Sequence, residues 1–99
     1  EEAAHFSLLQ HPEPKDVLLL VEVADTSARA DREWKIPLYA KHGISEVWLV
    51  DLAARCLEIY RQPRSEYSDY QQMQRLHDGM AAPESLPDVS LNVASLFEE

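Results

Sequence analysis

Ninety-nine residues, 45% of them hydrophobic, suit one small globular domain that buries roughly 60 to 70% of its unfolded-chain surface. A formal charge of −9 counts against tight, non-specific capture of nucleic-acid phosphates by the chain alone, since such binding usually uses a net basic face. No apolar run approaches the ~20 residues of a membrane span, the acidic start is unlike a signal peptide, and the lone Cys56 can form no internal disulfide, so a soluble, cytoplasmic protein is predicted.

Residues 1–15 carry Pro12 and Pro14 and little periodicity, and read as a lead-in, although HFSLL at 5–9 can form a short strand or helical turn. Residues 17–23, VLLLVEV, are apolar on both faces apart from Glu22, which predicts a central strand buried on both sides. Asp25, Thr26 and Ser27 supply turn and N-cap chemistry. An amphipathic helix follows to about His42, where Gly43 provides a left-handed stop. Trp34 and Leu38 are expected to face the sheet, with Arg32 and Lys41 pointing outward. Pro37 opposes a regular helix, because it has no backbone donor and clashes with the carbonyl of Glu33; the helix must start late or kink there.

Residues 44–51 form a second apolar strand, and a helix joining two such strands predicts a right-handed β-α-β crossover with the strands parallel. Residues 56–61 return as the other arm of a hairpin around DLAAR. After a break at 63–65, residues 67–76 make a more polar antiparallel strand, and His77-Asp78-Gly79 is a turn. In the tail, Val89 and Leu91 have extended spacing, and Asn92 caps a last helical turn that tucks in Leu96 and Phe97. The fold class is therefore α/β, a mixed sheet with one crossover followed by antiparallel strands. One edge of the first strand has no evident neighbour.

An ionised carboxylate inside an apolar strand costs several kcal/mol unless a cation or metal compensates it. Glu22 is therefore either paired structurally or a metal ligand, and Lys35 on the following helix is within reach. Asp16 cannot share an ion with Glu22, being six residues away on the same strand, about 20 Å in extended chain. Asp25 is read as a cap or an outer contact of the site, and Asp51 as a maker of local turn hydrogen bonds. His5, His11, His42 and His77 have no zinc-ligand spacing. Two glycines, Gly43 and Gly79, cannot build a phosphate loop, and Ser27 and Ser45 lack the glycine-flanked elbow of a serine hydrolase. Tyr67 and Tyr70 can stack on bases or pack against the sheet.

The segment VEVADTSARADREWKIPLYAKHGISEVWLVDLAARCLEIYR, with the closing LPDVSLNVASLF, resembles the Uma-two family of predicted restriction endonucleases in the PD-(D/E)XK nuclease superfamily, over about residues 11–97. The resemblance implies a restriction-endonuclease-like fold and hydrolysis of DNA phosphodiester bonds by metal-activated water. It further implies magnesium held at Glu22 and Val23, with Lys35 positioning the water or steadying charge on the phosphate. The superfamily's lysine usually lies two residues after the glutamate, where this chain has Ala24, so the function passes to Lys35 on the helix. The family carries an upstream strand opening with a Pro-Asp pair, and no such pair precedes His11. Residues 16–99 are thus expected to be the C-terminal part of the domain, inactive alone for want of the upstream aspartate. The open edge of residues 17–23 is expected to be covered by a second copy of the chain or by residues 6–9. Arg29, Arg32, Lys35 and Lys41 offer a local basic patch for DNA, or else the solvated face of a helix. The alternative function is a non-catalytic binding or oligomerisation module of the same fold, with Glu22 and Lys35 as a structural pair.

Overall fold

A computed structural model describes residues 13–98. Four strands form one sheet in the order β1 (Leu20–Ala24), β2 (Glu46–Asp51), β3 (Cys56–Arg64) and β4 (Asp69–Leu76). The first pair is parallel, with Leu20 opposite Val47 and Ala24 opposite Asp51, and the next two pairs are antiparallel. The predicted crossover, hairpin and fourth strand are all present. Two short strands, β5 (Met80–Ala81) and β6 (Leu91–Asn92), pair separately; the extended spacing at Leu91 was expected, but β5 and the pairing were not.

The central role expected of residues 17–23 falls to β2, whose six residues are all buried. Among the described residues β1 is an edge strand, begins only at Leu20 and alternates, with Val21 and Val23 exposed and Ala24 buried. An apolar run cannot by itself distinguish a buried strand from an edge whose outer face is bare. Residues 6–9, proposed to cover that edge, lie outside the described residues.

Helix α1 runs continuously over residues 28–41, as Ala28–Ala30, a π-helical turn Asp31–Lys35, and Ile36–Lys41. The π turn is the answer to Pro37: Ile36 N–H reaches the Asp31 carbonyl, and Pro37 enters the next segment in its first turn, where a missing donor costs little. Ser27 precedes the helix as its N-cap residue but makes no side-chain capping bond. At the other end Gly43 adopts φ +76°. Its N–H reaches the Ala40 carbonyl at 3.0 Å and that of Ile44 reaches Tyr39 at 3.0 Å, a Schellman stop.

The widened turn also rotates the helix away from the predicted face. Its buried positions are Ala28, Asp31, Ile36 and Ala40, separated by three, five and four residues. Trp34 and Leu38, expected against the sheet, are instead 67% and 43% exposed, and Arg32 turns inward. Ala28 packs with Ala24 and Leu49, and Ile36 with Ile44 and Val47, on one side of the sheet. The other side carries the larger core: Trp48, Val50, Leu57 and Ile59 lie under Ala81, Val93 and Phe97 of the C-terminal segment. That segment ends in the predicted turn at Val93–Phe97, with the Asn92 side chain accepting from Ala94 N–H at 3.1 Å. No helix among the described residues is long and apolar enough to cross a membrane.

Truncating Leu57 to alanine is expected to cost about 2 to 5 kcal/mol, since its side chain is fully buried. Trp34→Ala should stay within about 0.5 kcal/mol, as for other surface substitutions. Urea unfolding of both variants checks the helix rotation, and comparable losses at the two positions would contradict it.

Candidate functional site

The helix-facing side of the sheet holds an array of charged groups. Alternation along β1 turns Glu22 toward the helix, and Lys35, one turn before Tyr39, meets it there. Lys35 Nζ lies 3.6 Å from Glu22 Oε1 and 3.7 Å from Asp31 Oδ1, while the Tyr39 hydroxyl donates to Glu22 Oε2. Burial, reinforced by the Glu22 carboxylate, pushes the Tyr39 hydroxyl well above its usual range, so it remains a donor at neutral pH. The structure thus brings together the two residues that the sequence singled out, Glu22 and Lys35.

Beside them lies a tighter network. Arg32 Nη2 is 2.6 Å from Asp51 Oδ2 and 2.8 Å from Glu58 Oε2, and Arg75 Nη2 is 2.7 Å from the same Glu58 oxygen. Tyr60 also donates to Glu58, whose side chain is wholly buried. Burial pushes the Glu58 carboxyl upward, but hydrogen bonds from Arg32, Tyr60 and Arg75 outweigh it and hold the group below the ordinary carboxylate range. Asp51 makes the expected turn contact, accepting from Ala54 N–H at 3.0 Å, and binds Arg32 with its second oxygen. On the opposite face buried Glu46 accepts from Arg61, Trp48 and the Glu84 N–H.

Asp31, Tyr39, Glu58 and Arg75 were missed by the sequence reading, although two signals were present. Asp31, Lys35 and Tyr39 recur every four residues, and Glu58 interrupts an apolar strand just as Glu22 does. Asp25 is exposed, His42 is exposed, and His77 Nδ1 lies 3.1 Å from the Arg55 carbonyl oxygen. Tyr70 takes its packing role, tilted against Tyr60 at 5.8 Å and donating to the Ile44 carbonyl, whereas Tyr67 is exposed beneath Arg64. Burial raises the Cys56 thiol pKa, which makes it a packing residue rather than a nucleophile. The basic patch is mostly neutralised within the chain: Arg29 pairs with Glu33, Arg32 with Asp51 and Glu58, and Lys35 lies between Glu22 and Asp31; Lys41 is exposed.

Among the described residues no three His, Cys, Asp or Glu side chains gather as a metal-ligand set. Glu22 offers a hard carboxylate oxygen of the kind magnesium prefers. The Val23 side chain is apolar and exposed, so only its main-chain carbonyl can serve as a donor. Both are oxygen donors, the ligand type that such an ion takes.

The sequence model of the Uma2 family, described as putative restriction endonuclease, matches residues 1–94. No curated protein matches the chain significantly.

Because the Glu58 carboxyl is depressed in the folded state, its contribution to stability is present above the ordinary glutamate pKa and is lost as pH falls through the folded-state value. Stability is therefore expected to decline on acidification below about pH 4.3, the ordinary glutamate value. Glu58→Gln should cost about 1.5 to 3 kcal/mol at neutral pH, the range for losing charge-assisted hydrogen bonds, since Arg32 keeps Asp51 and Arg75 is half exposed, and should flatten that part of the acid slope. Denaturant midpoints measured from pH 7 to 3 decide it, and an unchanged slope in the variant would exclude Glu58 as its source.

Proposed function

The chain belongs to the Uma2 family, and on that footing we propose that it acts as a metal-dependent endonuclease that hydrolyses DNA phosphodiester bonds, with Glu22 and Lys35 as catalytic residues. One observation carries the reading. Every arginine–carboxylate pair on the helix-facing side of the sheet is closed at 2.6–2.8 Å, whereas Lys35 Nζ stands 3.6 Å from Glu22, beyond hydrogen-bond distance, with its side chain 38% exposed. An ammonium held open in this way keeps its N–H donors free for a phosphate oxygen or an attacking water.

Glu22 and the Val23 carbonyl would hold the magnesium ion. When bound, the ion supplies Lewis-acid polarisation of the phosphate and a more acidic water. Lys35 places positive charge beside the phosphate as negative charge develops there. Tyr39 fixes one Glu22 oxygen and leaves the other facing Lys35. A second protein anion for the metal is proposed to come from a strand paired along the open β1 edge, supplied by a second copy of the chain, with DNA, in the cytoplasm, as the partner.

The neutralised basic patch favours a second reading, a non-catalytic module in which Glu22 and Lys35 only hold the helix to β1. Plasmid cleavage separates the two. The protein with the β1 edge paired is expected to nick DNA only with added magnesium. Glu22→Gln and Lys35→Ala should each lower the rate by about a hundredfold or more, while Lys41→Ala leaves catalysis intact. Full activity in Glu22→Gln would remove the nuclease role from this site, and absence of cleavage in every form would favour the module.

A further inference from the structure

The two carboxylates around Lys35 are held alike. Glu22 has one oxygen bound by the Tyr39 hydroxyl and the other turned to the ammonium, and Asp31 has Oδ2 facing Ser27 Oγ at 3.5 Å and Oδ1 turned to the same ammonium. Nζ is almost equidistant from them, at 3.6 and 3.7 Å. The Asp31 side chain is 5% exposed and sits at the start of the π turn that Lys35 closes. We propose that Asp31 is the positioning residue for Lys35: its buried charge holds the ammonium between helix and β1, clear of contact with Glu22, where a substrate phosphate can reach it. The proposal rests on the reading of Glu22 and Lys35 as the site.

A lysine has four rotatable side-chain bonds and a strongly hydrated head, so one anion at 3.6 Å on a partly exposed ammonium does not fix its position. A second anion at nearly the same distance, on a different element, restricts it further. Asp31 is well suited to this task because it projects from the same helix one turn before Lys35, which sets their separation by the backbone rather than by sheet packing. The other carboxylate of the same turn, Glu33, is engaged by Arg29 and does not compete for Nζ.

The test is the rate of reductive methylation at each lysine, followed by peptide mass spectrometry on the intact chain, with Lys41 as internal reference. Asp31→Asn is expected to raise the Lys35 rate relative to Lys41 on the order of fivefold, the factor that matches loss of a partly exposed ion pair. Asp31→Glu, which restores the charge, should recover most of the protection. Ser27→Ala, an exposed and structurally mild change, should give a smaller increase in the same direction and serves if Asp31→Asn does not fold. In the cleavage assay Asp31→Asn should lower kcat about a hundredfold with KM little changed, the expected penalty for a misplaced catalytic group. An unchanged Lys35 rate in folded Asp31→Asn, with a lower melting temperature alone, would make Asp31 a stabilising residue and overturn the proposal. Faster methylation with unchanged cleavage would uphold the positioning and remove Lys35 from the nuclease reading.

Discussion

Four carboxylates are enclosed between one helix and one sheet, and neutralising them constrains everything else about this fold. Glu22 projects from β1, Asp51 and Glu58 from β2 and β3, and Asp31 from the helix itself. Each would cost several kcal/mol if left unpaired in that space. Two of the compensating cations, Arg32 and Lys35, belong to the helix, so the helix can dock in only one rotation. Its apolar contribution is modest by comparison: Ala28 and Ala40 have small side chains that admit the close approach the ion pairs need. The contacts that specify orientation are thus electrostatic, while the bulk of apolar burial lies on the opposite face beneath Val93 and Phe97.

That division explains what could be read from the sequence. The strands, crossover and hairpin follow from apolar runs punctuated by Gly43 and the DLAAR turn, features that tertiary packing had no reason to override. The helix face could not be read in the same way. A wheel drawn at 3.6 residues per turn places Trp34 and Leu38 inward and Arg32 outward, but the π turn forced by Pro37 adds a residue between Asp31 and Ile36 and reverses both assignments. Pro37 announced the irregularity without specifying whether it would be a late start, a bend or a widened turn. The candidate pair was legible because Glu22 is chemically out of place in VLLLVEV. Glu58 was equally out of place in CLEIY, but its arginine partners come from a helix and from β4, and pairing across such sequence distance leaves no local mark.

The exposed apolar side of β1 bears on the same question of what the sequence encodes. Val21 and Val23 are both more than 40% exposed on β1, an edge strand of the described sheet. Such an edge presents unpaired main-chain groups beside apolar side chains, a combination that proteins ordinarily cover. Glu22 lies on the same strand facing the other way, so whatever pairs with β1 stands next to the site as well as the edge. Strand pairing and completion of the site are in this sense one event, since a neighbour in register would place its alternate residues beside Glu22.

The contrast between closed and open ion pairs turns a description of charge into one of chemistry. Arginine forks fit carboxylates in a plane, and the Arg32, Arg75 and Arg61 pairs are contracted to 2.6–2.9 Å around partners that are almost fully buried. Such pairs have spent their directional donors and hold structure. Lysine carries its charge at a point with donors that rotate, and Lys35 touches neither of its acceptors. A purely structural lysine bridging β1 to the helix would gain by closing onto Glu22, whereas Nζ stands at 3.6 Å from Glu22 and 3.7 Å from Asp31. The site therefore differs from the network beside it in geometry as well as in residue type: one set of charges is satisfied internally, and the other is left balanced and available.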